Sequence, residues 1–577
     1  MKKTRPTPPR LKLAFETGPR VWDTLRYGSQ TAGRIAIKIL LYIPDNRITK
    51  NYMPVLWPWL LKALTPPTHS IRIVDGNTSH LSAEEVAQLA RKESIDLVGI
   101  GGMTRTIHTA YNAADAVRKT GIPVIMGGPH VGSDSTFLHP DPDEIVKEAL
   151  QHADSVVVGE ADHVWPEILE DFANGRMKSV YRPRVKPDLK NYPRIPWEDV
   201  NLKQFTIIPD VLKNLVRYSG FREFDFNLTP METGRGCPYG CDFCTVTNFF
   251  GEKVRVRTID SVLDELRLLR DLKRTFVFFV DDNFAIYDKF GHMSEEYKNR
   301  SRRLMQAMID EKITIPWAAQ ISSNLLDPES PDGKEFVDLM RGSKCIGVYI
   351  GLESVLPDSL KTVSKSFNKP ANYLRTLEYL DRSGIYPVTG FIYGTDVDEK
   401  GVAAQTWDVV KDWPPSTIPV FSPLTPLPGT PQFALFRREG RLVENHWMNY
   451  RPYTAAFTPL KLAPVDLNQE IRQAWGMAYS PEAIHNRLKK MRNRPFFERL
   501  IVLVANLCFR GVFFPQMNLR AWFKLLFENR KSFFDIFFRS RRWTNRMHLA
   551  PIVQAPAVEV TVAEELEPAS ADLAIPG

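Results

Sequence analysis

Strand-like apolar runs alternate with helix-like amphipathic patterns twice along this chain of 577 residues. The first alternation occupies about residues 34–175. Its five apolar runs lie at residues 35–43, 70–74, 96–100, 123–126 and 155–158. Strands that alternate with helices predict a parallel, doubly wound sheet. We therefore expect an N-terminal, Rossmann-like α/β domain that binds its ligand at the carboxyl ends of its strands.

The second alternation occupies about residues 226–435 and predicts six strand–helix units. One of the six strands precedes Cys237. The other five strand-like runs lie at residues 276–280, 314–321, 347–350, 387–393 and 420–424. A second α/β domain is therefore expected after the first.

Three of the five cysteines lie within eight residues, at Cys237, Cys241 and Cys244, with the spacing C-x3-C-x2-C. Clustered cysteines in a cytosolic protein usually bind metal. Structural zinc normally takes four ligands, and the remaining cysteines, Cys345 and Cys508, are more than a hundred residues away. Three thiolates on a [4Fe–4S] cluster leave one iron open for chemistry. We expect Cys345 and Cys508 to be buried small side chains.

This cysteine spacing is the signature of the radical SAM superfamily, and the chain resembles its cobalamin-binding branch, the class B radical SAM methylases. The resemblance implies a partial (β/α)6 barrel in which Cys237, Cys241 and Cys244 hold a [4Fe–4S] cluster. It implies that the open iron chelates S-adenosylmethionine (SAM), which one-electron reduction cleaves to a 5′-deoxyadenosyl radical. Phe243 matches the aromatic position that contacts the adenine.

The same resemblance assigns SAM-binding roles to polar residues at the ends of the predicted barrel strands. Asp282 matches the residue near the SAM amino group, and Glu353 the residue near the ribose hydroxyls. Gln320 and Ser322 are expected to bind the SAM carboxylate. Gly390 is expected to leave room for the adenosine. A helix cap or a satisfied loop is the alternative interpretation of each position.

Glycines follow three strands of the first predicted domain, in segments that begin at Gly99, Gly127 and Gly159. Glycine lets a backbone approach a large ligand closely. These segments are similar to the strand-end loops of the cobalamin-binding domain that precedes a radical SAM barrel. The resemblance implies a corrinoid over Gly101, Gly102, Met103, Thr104, Gly127, Gly128 and Gly159.

The chain lacks the Asp-x-His-x-x-Gly motif by which some cobalamin proteins supply a histidine to cobalt. The segment where it belongs, residues 42–46, contains no histidine. The cobalt is then expected to be free of a histidine from that motif, or the domain has lost its cofactor. We expect His108 and His130 to be structural or surface residues rather than cobalt ligands.

One segment carries the positive charge of the chain. The net charge is +8, yet residues 486–546 hold fifteen basic residues against three acidic ones, so this segment is +12 and the remainder is −4. Phenylalanine and tryptophan interleave with the basic residues, which favours helices that lie in a membrane interface. The longest apolar run, residues 500–509, is too short for a span of about 20 residues. A packed helical domain and a nucleic-acid surface are the alternatives.

The remaining segments complete the predicted organisation. Residues 1–33 are basic but lack the apolar core of a signal peptide, so we expect a disordered leader. The expected location is the cytoplasm, peripherally on the inner face of the cytoplasmic membrane. We expect a linker at 176–225, a helical C-terminal region at 436–547 and a disordered tail at 548–577.

Together these features predict a cobalamin-dependent radical SAM enzyme. The expected reaction is C-methylation of an unactivated carbon in a hydrophobic substrate, such as a hopanoid or isoprenoid lipid. Radical chemistry is needed there because acid–base catalysis cannot act on such a carbon. The expected partners are a hydrophobic small-molecule or lipid substrate, a membrane surface and a reductase, ferredoxin or flavodoxin that donates electrons.

Three alternatives remain open from the sequence. One is oxidative cyclisation or C–C coupling on a tetrapyrrole or a lipid. Another is modification or binding of RNA, which only the basic segment supports. Nucleic acid is therefore not an expected partner. The third is a cofactor-binding sensor that performs no chemistry.

Overall fold

The computed structural model describes residues 36–45, 51–132, 144–205, 227–285, 299–443, 447–450, 454–509 and 518–539. The predicted leader (1–33), the predicted tail (548–577) and part of the predicted linker lie outside these residues.

Six parallel strands form the sheet of the first domain. They are β1 (Lys38–Ile43), β2 (Ser70–Asp75), β3 (Leu97–Gly101), β4 (Val124–Gly127), β5 (Ser155–Val157) and β6 (Val180–Tyr181). Their order across the sheet is β2-β1-β3-β4-β5-β6. The five predicted strands are confirmed, and β6, which has only two residues, is too short to show a pattern in the sequence.

The helices between these strands cover both faces of the sheet. They are α1 (Trp57–Leu64), α2 (Ala83–Lys92), α3 (Ile107–Arg118), α4 (Pro129–Gly132), α5 (Glu144–His152) and α6 (Trp165–Ala173). Helices α2, α3 and α5 pack into one hydrophobic cluster, and α1 and α6 pack into another on the opposite face. The predicted doubly wound, Rossmann-like arrangement is confirmed.

Local sequence explains why these elements form. Five of the six residues of β1 are buried, as expected for a central parallel strand that is covered on both faces. Helix α2 starts at a capping box, in which the Ser82 hydroxyl accepts from the Glu85 N–H and the Glu85 carboxylate accepts from the Ser82 N–H. Both elements therefore form where the local sequence favours them.

A second sheet of six parallel strands forms the next domain. They are β7 (Leu228–Met231), β10 (Phe276–Phe279), β11 (Trp317–Gln320), β12 (Cys345–Glu353), β13 (Tyr386–Tyr393) and β14 (Ile418–Pro423). A two-stranded antiparallel ribbon, β8 (Gly234–Arg235) with β9 (Arg255–Val256), lies between β7 and β10 in the sequence. The order is β14-β13-β12-β11-β10-β7, so β7 and β14 are the open edges of a partial (β/α)6 barrel.

Helices follow the barrel strands in the pattern that the sequence predicts. They are α7 (Val246–Phe249), α8 (Ile259–Asp271), α9 (Arg300–Asp310), α10 (Pro331–Gly342), α11 (Pro357–Thr362), α12 (Pro370–Arg382), α13 (Val402–Val410) and α14 (Pro431–Arg438). Their apolar faces and the strands share one hydrophobic cluster, in which Trp317 and Phe279 are fully buried. Cys345 is buried at the start of β12, as predicted.

The C-terminal region is helical in its described part. It contains α15 (Pro464–Tyr479), α16 (Pro481–Lys490), α17 (Phe496–Phe509), α18 (Leu519–Glu528) and α19 (Arg530–Arg539). Helix α15 covers the edge strand β14, where Trp475 Nε1 donates to the Phe421 carbonyl at 3.0 Å. Helices α16 to α19 pack around a separate hydrophobic cluster. Cys508 of α17 is buried, as predicted. Among the described residues no helix is long and apolar enough to cross a membrane.

Candidate active site between the two sheets

The cysteine loop leaves the barrel through the β8–β9 ribbon and returns through it. Gly236, which directly precedes the first cysteine, has φ +92°, and a Cβ there would lie 2.8 Å from the Lys253 carbonyl oxygen. A side chain is therefore excluded at this position. The Cys244 N–H donates to the Cys241 carbonyl at 3.0 Å and closes a turn within the loop. The ribbon thus fixes both ends of the segment that carries the three cysteines.

The cysteines of this loop are free thiols. Burial, followed by the charge of neighbouring cysteines and carboxylates, raises the pKa of Cys237 to about 11 and that of Cys241 to about 12. Burial also raises the pKa of Cys244. Metal ions bind thiolates and displace these protons, so this donor set fits a positively charged iron–sulfur core. Among the described residues no group of three or more His, Cys, Asp or Glu side chains is placed to bind a single metal ion.

A buried ion pair lies beside the thiols. Lys365 Nζ is 2.6 Å from Glu353 Oε1, and both side chains are largely buried. Although burial dominates and raises the thiol pKa values, the charge of Lys365 lowers the pKa of each of the three cysteines. Lys365 is a residue that the sequence analysis missed, since it belongs to no motif and reaches the site only through the turn after α11.

Two consecutive aspartates follow β10 and have different roles. Asp281 is buried and accepts from the Thr233 N–H at 2.6 Å, and burial raises its pKa to about 6. Asp282 faces the cavity described below. Burial, and after it the charges of Asp281 and Glu232, raises the pKa of Asp282 to about 7. Asp281 therefore holds the loop, whereas Asp282 is the carboxyl group that a ligand can reach.

The other predicted SAM-binding residues lie at the same ends of the strands. The Ser322 hydroxyl accepts from Asn283 Nδ2 at 2.8 Å, and Gln320 Nε2 donates to the Asp281 carbonyl at 3.4 Å. Phe243 is half-buried and packs against the barrel core. These three side chains thus already have protein contacts that a ligand has to share or replace.

Gly390 packs against Tyr349 of the neighbouring strand. A Cβ at Gly390 would lie 2.6 Å from the Tyr349 hydroxyl, so the space above this glycine is occupied by Tyr349. This contact could not be predicted from the sequence, because the two residues meet only when β12 and β13 pair. The glycine is required by the packing of the neighbouring strand, and room for adenosine at this point depends on movement of Tyr349.

A cavity of about 510 Å³ separates the two sheets. On the barrel side its walls include Glu232, Asp282, Phe249 and Phe250. On the side of the first sheet its walls include six of the seven residues predicted to contact cobalamin, namely Gly101, Gly102, Met103, Gly127, Gly128 and Gly159. The cavity is therefore bounded by the carboxyl ends of both sheets.

The glycines of this wall fit a large ligand in different ways. A Cβ at Gly128, where φ is +100°, would lie 2.7 Å from the Gly102 carbonyl oxygen, so this glycine is needed for the approach of two loops. A Cβ at Gly127 would meet only Val157 at 3.7 Å and otherwise open space. Gly127 thus presents bare backbone to the cavity, as a cradle for a broad macrocycle requires.

Thr104 and the two histidines lie outside this cavity wall. The Thr104 hydroxyl is 3.1 Å from His130 Nδ1. His130 is buried and packs edge-on against Trp447, with ring centroids 4.7 Å apart, and burial lowers its pKa to about 3. His108 is half-buried and is not part of the wall. This placement agrees with the structural role expected for both histidines.

A network of buried ion pairs joins the first domain to the cysteine loop. Glu160 accepts from Arg235 at 2.6 Å and from Arg255 at 2.8 Å, and its side chain is 1% exposed. Arg235 also pairs with Asp162 and with Glu232. Arg235 lies two residues before Cys237, so the first domain directly supports the loop. Sequence reasoning missed this network, because ion pairs across 75 residues have no local pattern.

Comparison with known proteins agrees with this architecture. The model of the Radical SAM superfamily matches residues 231–401, and that of the B12 binding domain matches residues 49–169. Bacteriochlorophyllide d C-12(1)-methyltransferase of Chlorobaculum tepidum is 30% identical over 69% of this chain and 77% of its own length. Hopanoid C-2 methylase of Rhodopseudomonas palustris is 25% identical over 76% of this chain and 73% of its own length.

Further likenesses extend over the same domains. The anaerobic magnesium-protoporphyrin IX monomethyl ester cyclase of Rubrivivax gelatinosus is 23% identical over 59% of each chain. Among solved structures, the radical SAM methyltransferase TsrM from Kitasatospora setae, with cobalamin and a [4Fe–4S] cluster bound, superposes with a TM-score of 0.52. The two chains are 16% identical, and the match covers 76% of this chain and 82% of TsrM, which shows a shared fold.

A B12-binding sheet that faces a radical SAM barrel across one cavity defines a class of enzyme. The chain belongs to the cobalamin-dependent radical SAM family, whose methyltransferases and cyclases are its relatives. Its cofactors are a [4Fe–4S] cluster, SAM and cobalamin. The free thiols and the glycine wall described above fit the cluster and the corrinoid, respectively.

Proposed function

We propose that this enzyme methylates an unactivated carbon of a hydrophobic substrate, with a polycyclic or isoprenoid lipid such as a hopanoid as the first candidate. The observation that carries the proposal is the cavity between the two sheets, because the wall predicted to bind cobalamin and the barrel mouth with Asp282, predicted to bind SAM, face each other across it. The cluster and SAM supply hydrogen abstraction when bound, and cobalamin supplies the methyl group.

The relatives support the substrate class. One of them is named for methylation of bacteriochlorophyllide d and another for methylation of hopanoids, and both of these substrates are polycyclic. The cavity wall is also largely apolar, with Leu41, Trp57, Phe249 and Phe250 among its members. Such a wall excludes water from the reacting centre.

Residues of this chain have distinct tasks in the proposal. Asp282 is proposed to receive the amino group of SAM, since it follows β10 and lines the cavity beside the cysteine loop. Glu353 is proposed to bind the ribose, and Lys365 holds that carboxylate in place through the 2.6 Å ion pair. Lys365 is thus a positioning residue, and it also offsets the negative charge of the nearby thiolates.

A product analysis tests this proposal. Protein purified without oxygen and carrying cluster and cobalamin is given SAM, a flavodoxin or ferredoxin with its reductase, and a membrane lipid extract. We expect 5′-deoxyadenosine and S-adenosylhomocysteine to form together, in about equal amounts, only when lipid is present. No SAM cleavage with lipid, with a tetrapyrrole or in their absence contradicts the proposal.

The second candidate function is oxidative cyclisation or coupling, and the similarity to a magnesium-protoporphyrin cyclase is the observation that favours it. Cyclisation does not transfer a methyl group. The same assay then yields 5′-deoxyadenosine without S-adenosylhomocysteine, and a tetrapyrrole replaces the lipid as the required addition.

A further inference from the structure

The two last described helices, α18 and α19, have an outer face of unusual composition. Ten residues between 519 and 539 are exposed, and every one is either large and apolar or basic. The apolar ones are Leu519, Phe523, Phe527, Phe534 and Phe538. The basic ones are Arg520, Lys524, Arg530, Lys531 and Arg539. We call these ten residues the aromatic–basic face.

The apolar residues of this face do not serve to pack the two helices against the rest of the molecule. Trp522 and Leu525 of α18, and Ile536 of α19, already bury the inner sides of these helices in the C-terminal hydrophobic cluster. Phe527 and Phe538 point the other way and are 66% and 75% exposed. All exposed phenylalanines of the described residues lie on this face. A concentration of this kind marks an interaction site.

The charges of the face determine its partner. Asp535, an acidic residue of α19, is buried and pairs with Arg499 and Arg492, so it does not reach the surface. The Arg530 guanidinium lies 4.4 Å from the Phe527 ring centroid, and that of Arg539 lies 5.9 Å from the Phe534 ring. Each cation therefore sits at the rim of an apolar group, as at a lipid headgroup boundary. Two copies of such a face would repel each other.

We infer that the aromatic–basic face binds an anionic lipid surface, with its phenylalanines among the acyl chains and its arginines and lysines at the phosphates. Phe523 and Phe527 are four residues apart, as are Phe534 and Phe538, so each helix presents its aromatic rings on one side. The rings of Phe534 and Phe538 also contact each other, with centroids 4.8 Å apart. The helices lie on the bilayer and do not cross it.

Vesicle flotation tests the inference with the full chain carrying its cluster. Vesicles of phosphatidylcholine mixed with phosphatidylglycerol are compared with vesicles of phosphatidylcholine alone, without SAM or substrate. We expect the wild-type protein to float with the anionic vesicles and to be released by high salt. The double variant Phe527→Gln, Phe538→Gln is expected to bind about tenfold more weakly, because two exposed aromatic rings that would enter the bilayer are lost.

Matched variants keep the test specific. Leu460→Gln with Val465→Gln removes two apolar side chains that are each 68% exposed elsewhere on the molecule, and binding is expected to stay unchanged. Lys524→Glu with Lys531→Glu is expected to weaken binding by about fivefold or more for each cation removed. Its control, Lys361→Glu with Lys400→Glu, replaces two similarly exposed lysines of the barrel. Thermal melting verifies that all variants fold.

Four outcomes overturn the inference. They are failure of the wild type to float with anionic vesicles, equal binding by the phenylalanine variant, binding of an RNA pool in place of vesicles, and self-association in the absence of lipid that the phenylalanine variant abolishes. The assay involves no catalysis, so failure here leaves the methylation proposal standing. Failure of SAM cleavage likewise leaves the vesicle result standing.

Discussion

The two walls of the cavity differ in what they are made of. The barrel wall carries charge in its side chains, with Asp282 and Glu232 lining the cavity. The thiols and the Glu353–Lys365 pair lie outside that lining, where Asp282 and Lys365 both influence the pKa of Cys237. The wall at the ends of β3 and β4 presents glycine backbone, with Gly127 open to the cavity. The barrel side therefore depends on charge and on thiolate donors, whereas the sheet wall depends on shape. Changes on the two sides are expected to fail in different ways.

Loss of one cluster thiol is expected to have the largest effect. Cys241→Ala removes one of three donors, so the visible absorbance of the cluster and the cleavage of SAM are expected to fall to background. Cys345→Ala is the matched control, because this thiol is buried in the barrel but lies outside the cysteine loop. Retention of a full cluster by the Cys241 variant would contradict the assignment.

The next largest effect is expected at the joint between the two walls. Glu160→Gln leaves Arg235 and Arg255 without their shared buried carboxylate, which is expected to cost about 3–5 kcal/mol of unfolding free energy. The control is Glu170→Gln, on the exposed side of α6, which is expected to change the unfolding free energy by less than about 0.5 kcal/mol. Denaturant titration of both variants measures the difference, and equal values would show that the network contributes nothing.

The stability contributed by the charged barrel wall is expected to depend on pH, because Asp282 titrates there, whereas the glycine backbone of the other wall does not titrate. Asp282 has a pKa raised from its ordinary 3.8 to about 7, so the folded protein binds a proton that the unfolded chain releases between these values. Stability from this residue is therefore present at low pH and is lost as the pH rises toward 7. The unfolding free energy of Asp282→Asn, taken relative to that of the wild type, is therefore expected to rise by about 2 kcal/mol between pH 5 and pH 8. The comparison uses protein without cofactors.

That gain is measured by urea unfolding at several pH values. Asp260→Asn, at the exposed start of α8, is the control. Its unfolding free energy relative to the wild type is expected to be the same at each pH. A flat profile for Asp282→Asn as well would mean that this carboxyl group titrates normally.

The smallest effect is expected on the sheet wall. Gly127→Ala places one methyl group where only Val157 is near, so the fold is retained and the methyl faces the cavity. Cobalamin binding is expected to weaken by about 1 kcal/mol, or about fivefold, while the cluster absorbance stays unchanged. Gly476→Ala, on the exposed side of α15, is the control for adding a methyl group. Undiminished cobalamin affinity would place the corrinoid elsewhere.

Part of the fold and part of the candidate site could be predicted from the sequence, and other parts could not. Strand positions such as those of β1 and β10, and the cysteine loop, follow from patterns within a few residues. The Lys365–Glu353 pair, the Arg235–Glu160 pair and the contact of Tyr349 with Gly390 were not foreseen. Each of these joins residues that only the folded sheets bring together, so no local periodicity reports them.

The Arg235 ion pairs have a consequence for how this protein can be divided or recombined. Arg235 belongs to the barrel, yet two of its carboxylate partners, Glu160 and Asp162, belong to the first domain. The barrel is therefore not a free-standing module, because without its neighbour the guanidinium next to the first cysteine keeps only Glu232 of its three carboxylate partners. A chimera that takes its first domain from a relative has to import a matching pair of acids after β5, or the cysteine loop is built beside an arginine that lacks two of its counter-ions.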